Sequence, residues 1–288
     1  LPIWKLNQVL TKRFLRFLAE QAKKEPDAYL EFWKEFGILL KEGAATDFAH
    51  KENLAKLLRF ESSGLDSAKL TGLEGYASRM TGEQKDIIYI FGRNREAIEA
   101  GPYLEALTAR NLEVLILTEP VDEYVMQTLG EFDGKKLVSG DSEDLKLEKL
   151  DDEPEGKKLN KKDTKSLCKW LKESLGERVS EVEEGERLIE SPVCVVGADA
   201  MGGPSARRMM KMMQGADSNL PDPAVKLQIN LRHSIIRGLS KLRGTSPDTA
   251  SLVAHQLLDN ALASADLLED PREMISRSFQ ALEKLTAG

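Results

Sequence analysis

Two short apolar runs constrain this chain more than anything else in it. Ile87-Ile88-Tyr89-Ile90-Phe91 ends at Gly92, and Val114-Leu115-Ile116-Leu117 follows after a helix-length interval. Both are compact and rich in β-branched residues, the pattern of strands buried on both faces. Residues 94–110 between them are helix-like, with a break at Gly101-Pro102. Glu119-Pro120 then opens a helix across Val121–Leu129, and Lys136-Leu137-Val138-Ser139 is a weaker strand. Strand–helix–strand–helix–strand predicts a small α/β/α layered unit over 86–139 with a parallel pair.

The segment before it has a different period. Ile3, Leu6, Leu10, Phe14, Phe17 and Leu18 recur at steps of three and four, one stripe of a helix. Pro26 fits the first turn of a second helix, whose apolar face is Tyr29, Phe32, Trp33, Phe36 and Leu40. A third helix runs through Leu54, Leu57 and Leu58, and a fourth carries Leu73, Tyr76, Ala77 and Met80. Residues 3–80 therefore read as several antiparallel helices burying their stripes against one another.

After residue 140 the composition shifts. Fifteen of the 23 residues in 141–163 are charged and the stretch also contains Pro154 and Gly156, which reads as a solvated linker. Leu167, Trp170, Leu171 and Leu175 then make a helical stripe stopping at Gly176, and Val193–Val196 is a buried strand. A Gly-rich loop leads to a helix from Pro204 or Ser205 that contains Met209, Met210, Met212 and Met213. Over Thr249–Leu268, Leu252, Val253, Gln256, Leu257, Asn260 and Ala261 recur in near-heptad spacing. Pro271 starts a last amphipathic helix with Met274, Ile275, Phe279, Leu282 and Leu285. Two such helices can pack against a partner's copy as a bundle. The fold class is α/β, α+β overall: a helical segment, a layered unit, then a mixed α/β domain ending in a helical bundle.

Signs of chemistry are few. Gly197-Ala198-Asp199-Ala200-Met201-Gly202 has the frame of a phosphate-binding loop, but Gly203-Pro204 follows where Lys-Ser/Thr is needed. Gly92-Arg93-Asn94-Arg95 lacks a dinucleotide fingerprint and reads as a solvated loop, with anion binding the alternative. The histidines, His50, His233 and His255, have no metal-ligand spacing, and Cys168 and Cys194 lie in apolar stretches. No catalytic constellation and no metal site emerge. A net charge of −7 argues against a nucleic-acid partner, and no apolar run reaches membrane-spanning length. Four methionines within 209–213 cannot all face one core, so either some are exposed to partners or the helix is loosely packed.

Several of these segments are familiar together. Leu57-Leu58-Arg59-Phe60-Glu61-Ser62-Ser63, Tyr76-Ala77-Ser78-Arg79-Met80 and Ile88-Tyr89-Ile90 resemble signatures of the 90-kDa heat-shock (HSP-90) chaperone family. So do Glu119-Pro120-Val121-Asp122-Glu123-Tyr124, residues 131–139, Ser191–Val196, Leu227–Asn230 and Glu269-Asp270-Pro271, in the family's order. The likeness is greatest to the bacterial HtpG type and its mitochondrial relative. It implies the latter part of a chaperone middle domain over 1–145, a charged linker over 146–160 and a C-terminal dimerisation domain over 161–288. Opening on Leu1-Pro2 without Met, the chain reads as a piece of a longer one.

The resemblance carries further expectations. In this family ATP and Mg bind an N-terminal domain and an arginine in a middle-domain loop aids hydrolysis; both would lie upstream of Ile3. This stretch is thus expected to hold no cofactor, no catalytic residue and no enzymatic activity of its own. It is expected to bind client proteins through Glu123, Tyr124 and Gln127 and through Met209, Met212 and Met213, which favours exposure of the methionines. Homodimerisation is expected through the terminal helices, at Leu252, Val253, Gln256, Leu257, Asn260, Ala261, Met274, Ile275, Phe279 and Leu282. The setting implied is the bacterial cytoplasm, or alternatively the mitochondrial matrix, and no tetratricopeptide-repeat cochaperone is expected. Asn230-Leu231-Arg232-His233 departs from the family's Asn-Pro-x-His, which bears on the helix start there. Two other classes stay open on the residues alone: a nucleotide-using enzyme built on 86–139, or a purely structural dimerisation module.

Overall fold

The computed structural model describes residues 2–82, 84–148, 150, 156–197, 204–205, 207–208, 224–268 and 270–286. Its contacts divide the chain into two compact units, Leu1–Phe91 with Leu112–Val138, and Gly92–Asn111 with Ser139–Gly288. The sequence reading drew its boundary at 146–160; the contact boundaries fall at 91/92, 111/112 and 138/139.

In the first unit, α1 (Ile3–Lys24) and α2 (Pro26–Thr46) are separated by Glu25 alone, with Pro26 at the first helical position as expected. Leu15 and Leu18 of α1 meet Tyr29, Trp33, Leu40 and Ala44 of α2 in one core. The α1 stripe read from the sequence does not turn inward as a whole: Leu6, Leu10, Phe14 and Phe17 are exposed, whereas Leu18 is buried. The third helix is also shorter than its leucines suggested. α3 spans Lys51–Ala55, and Leu57 and Leu58 pack from the turn beyond it, where Tyr29 Oη donates to Leu57 O at 2.6 Å.

That turn feeds a strand the sequence reading lacked. β1 (Phe60–Ser62) pairs antiparallel with β2 (Leu70–Thr71), so 3–80 is not all helix. α4 (Leu73–Arg79) delivers Tyr76, fully buried, whose hydroxyl donates to Glu113 O at 2.5 Å and accepts from Ile88 N at 3.1 Å. One side chain thus ties α4 to β3 (Ile87–Phe91) and to the start of β4 (Leu115–Leu117). β3 and β4 are parallel, Ile90 opposite Ile116, as their apolar runs required, and β1 lies antiparallel on the other side of β4. α7 (Pro120–Leu129) follows, then β5 (Glu131–Phe132) and β6 (Lys135–Ser139), completing a six-stranded sheet of order β2-β1-β4-β3-β6-β5.

The β5–β6 hairpin turns on Asp133-Gly134, both with positive φ, the two-residue turn whose twist matches flanking strands. A Cβ at Gly134 would meet nothing within 4 Å, so only backbone conformation opposes a side chain there. Gly134→Val is expected to lower stability by about 1–2 kcal/mol, the cost of holding an L-residue in the left-handed region. Chemical denaturation monitored by tryptophan fluorescence reads this directly; an unchanged midpoint would show that the turn relaxes.

In the second unit, α5 (Arg95–Glu99) and α6 (Pro102–Thr108) break at Gly101-Pro102 as expected. α8 (Lys161–Leu175) buries Leu167, Leu171 and Leu175 and stops at Gly176, whose φ is +62°. A 3-10 turn over Gly176–Arg178 leads into β7 (Val179–Glu184), a strand absent from the sequence reading. It pairs in parallel with β9 (Val225–Ile229), whose other side is antiparallel to β8 (Val193–Val196). α9 (Ser234–Thr245), α10 (Pro247–Ser264) and α11 (Pro271–Thr286) complete the unit. At the family departure, His233 caps α9, its Nδ1 accepting from Ile235 N at 3.1 Å, so the helix starts cleanly without the proline.

Charge clusters tie loops of this unit together. The half-buried Glu105 of α6 takes one loop entirely: its Oε1 accepts from the amides of Ile189 (2.8 Å), Glu190 (2.5 Å) and Ser191 (3.2 Å), and its Oε2 from Ser191 Oγ (2.6 Å). Arg208 Nη2 pairs with Asp141 at 2.8 Å, both buried.

Candidate functional site

α7 is fixed at both ends before it presents anything to solvent. Glu119 and Asp122 form a capping box, with Asp122 Oδ2 accepting from Glu119 N at 3.1 Å. Lys41 of α2 lies 2.7 Å from Asp122 Oδ1 and 3.1 Å from Glu119 Oε2, and its ammonium sits over the rings of Trp33 (5.7 Å) and Phe60 (5.3 Å). Burial pushes the Asp122 carboxyl up, against the pull of Lys41. At the far end Lys51 Nζ donates to Thr128 O and Leu129 O at 3.2 and 3.3 Å, supplying charge where the helix carbonyls are unpaired.

Val125, Met126 and Leu129 anchor the inner side, leaving Tyr124 and Gln127 on the outer one, both exposed. Glu123 departs from expectation. It lies one residue, about 100°, round the helix from Tyr124, and is buried at 2% exposure. The exposed ridge therefore consists of Tyr124 and Gln127. Met209, Met212 and Met213 lie outside the described residues.

The terminal helices divide the expected dimerisation residues into three groups. Leu257 and Ala261 of α10 are buried together with Ala250, Ala254 and Leu258, so they serve the chain's own core. The alanines let α10 come close to β8. Leu252, Val253, Gln256 and Met274 are half-buried, and Asn260, exposed, accepts from Gln256 Nε2 at 2.9 Å. Ile275, Phe279 and Leu282 of α11, at steps of four and three, are exposed by 46%, 62% and 52%. They form an outward apolar stripe.

α11 runs antiparallel to α10 and is held by one carboxylate. Asp259, with no exposed surface, pairs through Oδ2 with Arg277 (2.6 Å) and through Oδ1 with Arg178 (2.6 Å). His255 Nδ1 is 3.5 Å from Arg178 Nη1, and burial, aided by both arginines, depresses its pKa below 6.5. No sequence pattern marked this cluster, because its members come from the 3-10 turn, α10 and α11.

The remaining candidates are structural. Burial pushes the Cys194 thiol up to about 12, and its Sγ contacts Gln228 Oε1 at 3.8 Å. His50 is paired with Asp47 at 2.8 Å. Of the Gly-rich frame, Gly197 bridges to Ser142 and the rest lies outside the described residues. Among the described residues no three His, Cys, Asp or Glu side chains are placed to hold a metal ion, and no helix is long and apolar enough to cross a membrane.

Comparison with known proteins agrees across the chain. A family model described as Hsp90 protein matches residues 3–287. The chaperone protein HtpG of Desulfitobacterium hafniense (strain Y51) is 44% identical over 284 residues, 98% of this chain and 45% of the relative. HtpG of Desulfotalea psychrophila is 38% identical over 286 residues, covering 97% and 46%. The mitochondrial heat shock protein 75 kDa of Bos taurus is 38% identical over 294 residues, covering 98% and 41%. The chain spans a little under half the length of these relatives.

Proposed function

The chain belongs to the Hsp90 protein family, and on that premise we propose that it is the client-binding and self-associating part of a molecular chaperone. Two copies join through α10 and α11, and each offers the α7 ridge to partly folded proteins. The observation that carries this reading is the stripe of Ile275, Phe279 and Leu282, an apolar row exposed on a helix otherwise secured to the chain. Its burial against a second copy would remove three exposed apolar side chains of that helix from water. Tyr124 supplies the kind of contact that dominates binding surfaces, an aromatic face with a polar end. Two ridges on one dimer would raise the effective concentration of weak contacts. The bacterial cytoplasm is the proposed setting, with the mitochondrial matrix second, and the stretch is expected to turn over no ATP by itself.

Sedimentation equilibrium on the whole chain and on a chain ending at Asp270, which removes α11 and its exposed stripe but keeps the α10 core, tests the association. A dimer that becomes a monomer on truncation supports the reading; a monomer at micromolar concentration for both ends it. Tyr124→Ala with Gln127→Ala is then expected to weaken binding of a partly folded protein roughly tenfold, in line with loss of an aromatic anchor, while the dimer persists. A dimer that binds no partly folded protein in either form would be a structural dimerisation module instead.

A further inference from the structure

One surface remains that neither client contact nor self-association uses. Residues 157–172 hold seven lysines against the single Asp163, inside a chain of net charge −7. On α8, Lys161, Lys165, Lys169 and Lys172 follow at steps of four, four and three, which places them on one side of the helix, with Lys162 beside them. All five are exposed. The opposite side, Leu167, Leu171 and Leu175, is buried, so the lysine face looks outward from a fixed scaffold.

Local energetics do not account for this arrangement. Lys161, Lys165 and Lys169 repel one another at four-residue spacing. Lys161 and Lys162 also occupy the first turn, where the helix dipole disfavours cations. Carboxylates offset little of it: Lys169 is 3.8 Å from Glu173, both well exposed, and Lys172 gives its ammonium to Val179 O. Lys158, just ahead of the helix, is paired with Glu184. Lysines that cost the isolated helix stability are explained by something outside it.

We propose that the lysine face of α8 receives an acidic segment of another polypeptide. The row from Lys161 to Lys169 is about 12 Å long at 1.5 Å per residue, the span of roughly four extended residues, with Lys172 held to Val179 O beyond it. A segment of that size satisfies the face and ends. A nucleic acid continues, and its phosphates would run on past the face into the surface of an acidic protein. An anionic membrane would meet the face through charge alone, without the apolar insertion that strengthens such binding, because that side of α8 is already buried.

The test is fluorescence anisotropy of the whole chain with a labelled twelve-residue Glu/Asp peptide, compared with a single-stranded RNA oligonucleotide and phosphatidylserine vesicles. The peptide is expected to bind, with affinity falling as salt is raised, since these are exposed charges. Lys161→Glu, Lys165→Glu and Lys169→Glu together should weaken it at least tenfold, whereas Lys12→Glu, Lys56→Glu and Lys136→Glu should leave it within twofold. The first variant is also expected to melt no lower than the parent, which separates loss of binding from loss of fold; a lower melting temperature would make the lysines structural and overturn the proposal. Equal peptide binding by both variants, or tighter binding of the RNA or the vesicles, would overturn it as well.

Discussion

Replacing Asp259 with alanine is expected to cost the second unit about 3 kcal/mol, because it strands two arginines around a site that water does not reach. The carboxylate has no exposed surface, while Arg277 and Arg178 keep 20% and 38% of theirs. The arginines can therefore partly resolvate, which holds the loss below that of a fully buried triad. The structural effect should exceed the energetic one, since Asp259 is the bridge from α10 to α11. On the proposed dimer, the variant is expected to dissociate as well as to melt early, and sedimentation beside calorimetry reads both. Full dimer strength with an unchanged melting temperature would show that the bridge is dispensable. His255 adds a pH dependence. Its folded pKa lies below 6.5, so the unfolded chain binds the extra proton first. No penalty exists above pH 6.5, and the penalty grows as pH falls from there through the folded value. His255→Gln should flatten that acid-side decline.

Lys41→Met is expected to be the more damaging change, about 3–5 kcal/mol, because Asp122 then keeps its charge with no cation beside it. Asp122 is 2% exposed and Lys41 6%, so little screening softens the loss. Burial holds the Asp122 carboxyl above its ordinary 3.8. For an acid raised in this way, stability is fully present below the unfolded value and is lost as pH rises through the folded one. The Lys41→Met deficit should therefore be largest at neutral pH and shrink in acid. Adding Asp122→Leu should recover most of it, short of the cap lost at Glu119, commonly about 1 kcal/mol. A double variant no better than Lys41→Met alone would show that the pair does more than neutralise itself.

These two clusters mark where the sequence stopped being legible. β3, β4 and the helix starts at Pro26, Pro120 and Pro271 were readable because each depends on its own few residues. β1 and β2 were not, being three and two residues long and defined by their partners rather than by any alternation. Lys41 sits in a helix whose neighbours announce a core, and nothing local says that its ammonium is matched 81 positions later by Asp122. On the candidate site, the signature around Tyr124 covers a contiguous stretch that wraps all sides of a helix, and Glu123 fell on the inner side. Leu257 and Ala261 turn inward for a related reason. Heptad spacing marks a stripe without saying whether its partner is another chain or the same one.

The grip of Glu105 on residues 189–191 has a consequence in time. The carboxylate leaves the ribosome 84 to 86 residues ahead of the amides that donate to it, a delay of roughly 4 to 17 s at 5–20 residues per second. During that interval the nascent α6 carries a charge that its eventual surroundings have not yet arrived to neutralise. Water must hold it until then, so α6 stays undocked while Leu112–Val138, which emerges in between, can already join the first unit. The order of emergence thereby keeps the α6 carboxylate without its amide partners until residues 189–191 have been made.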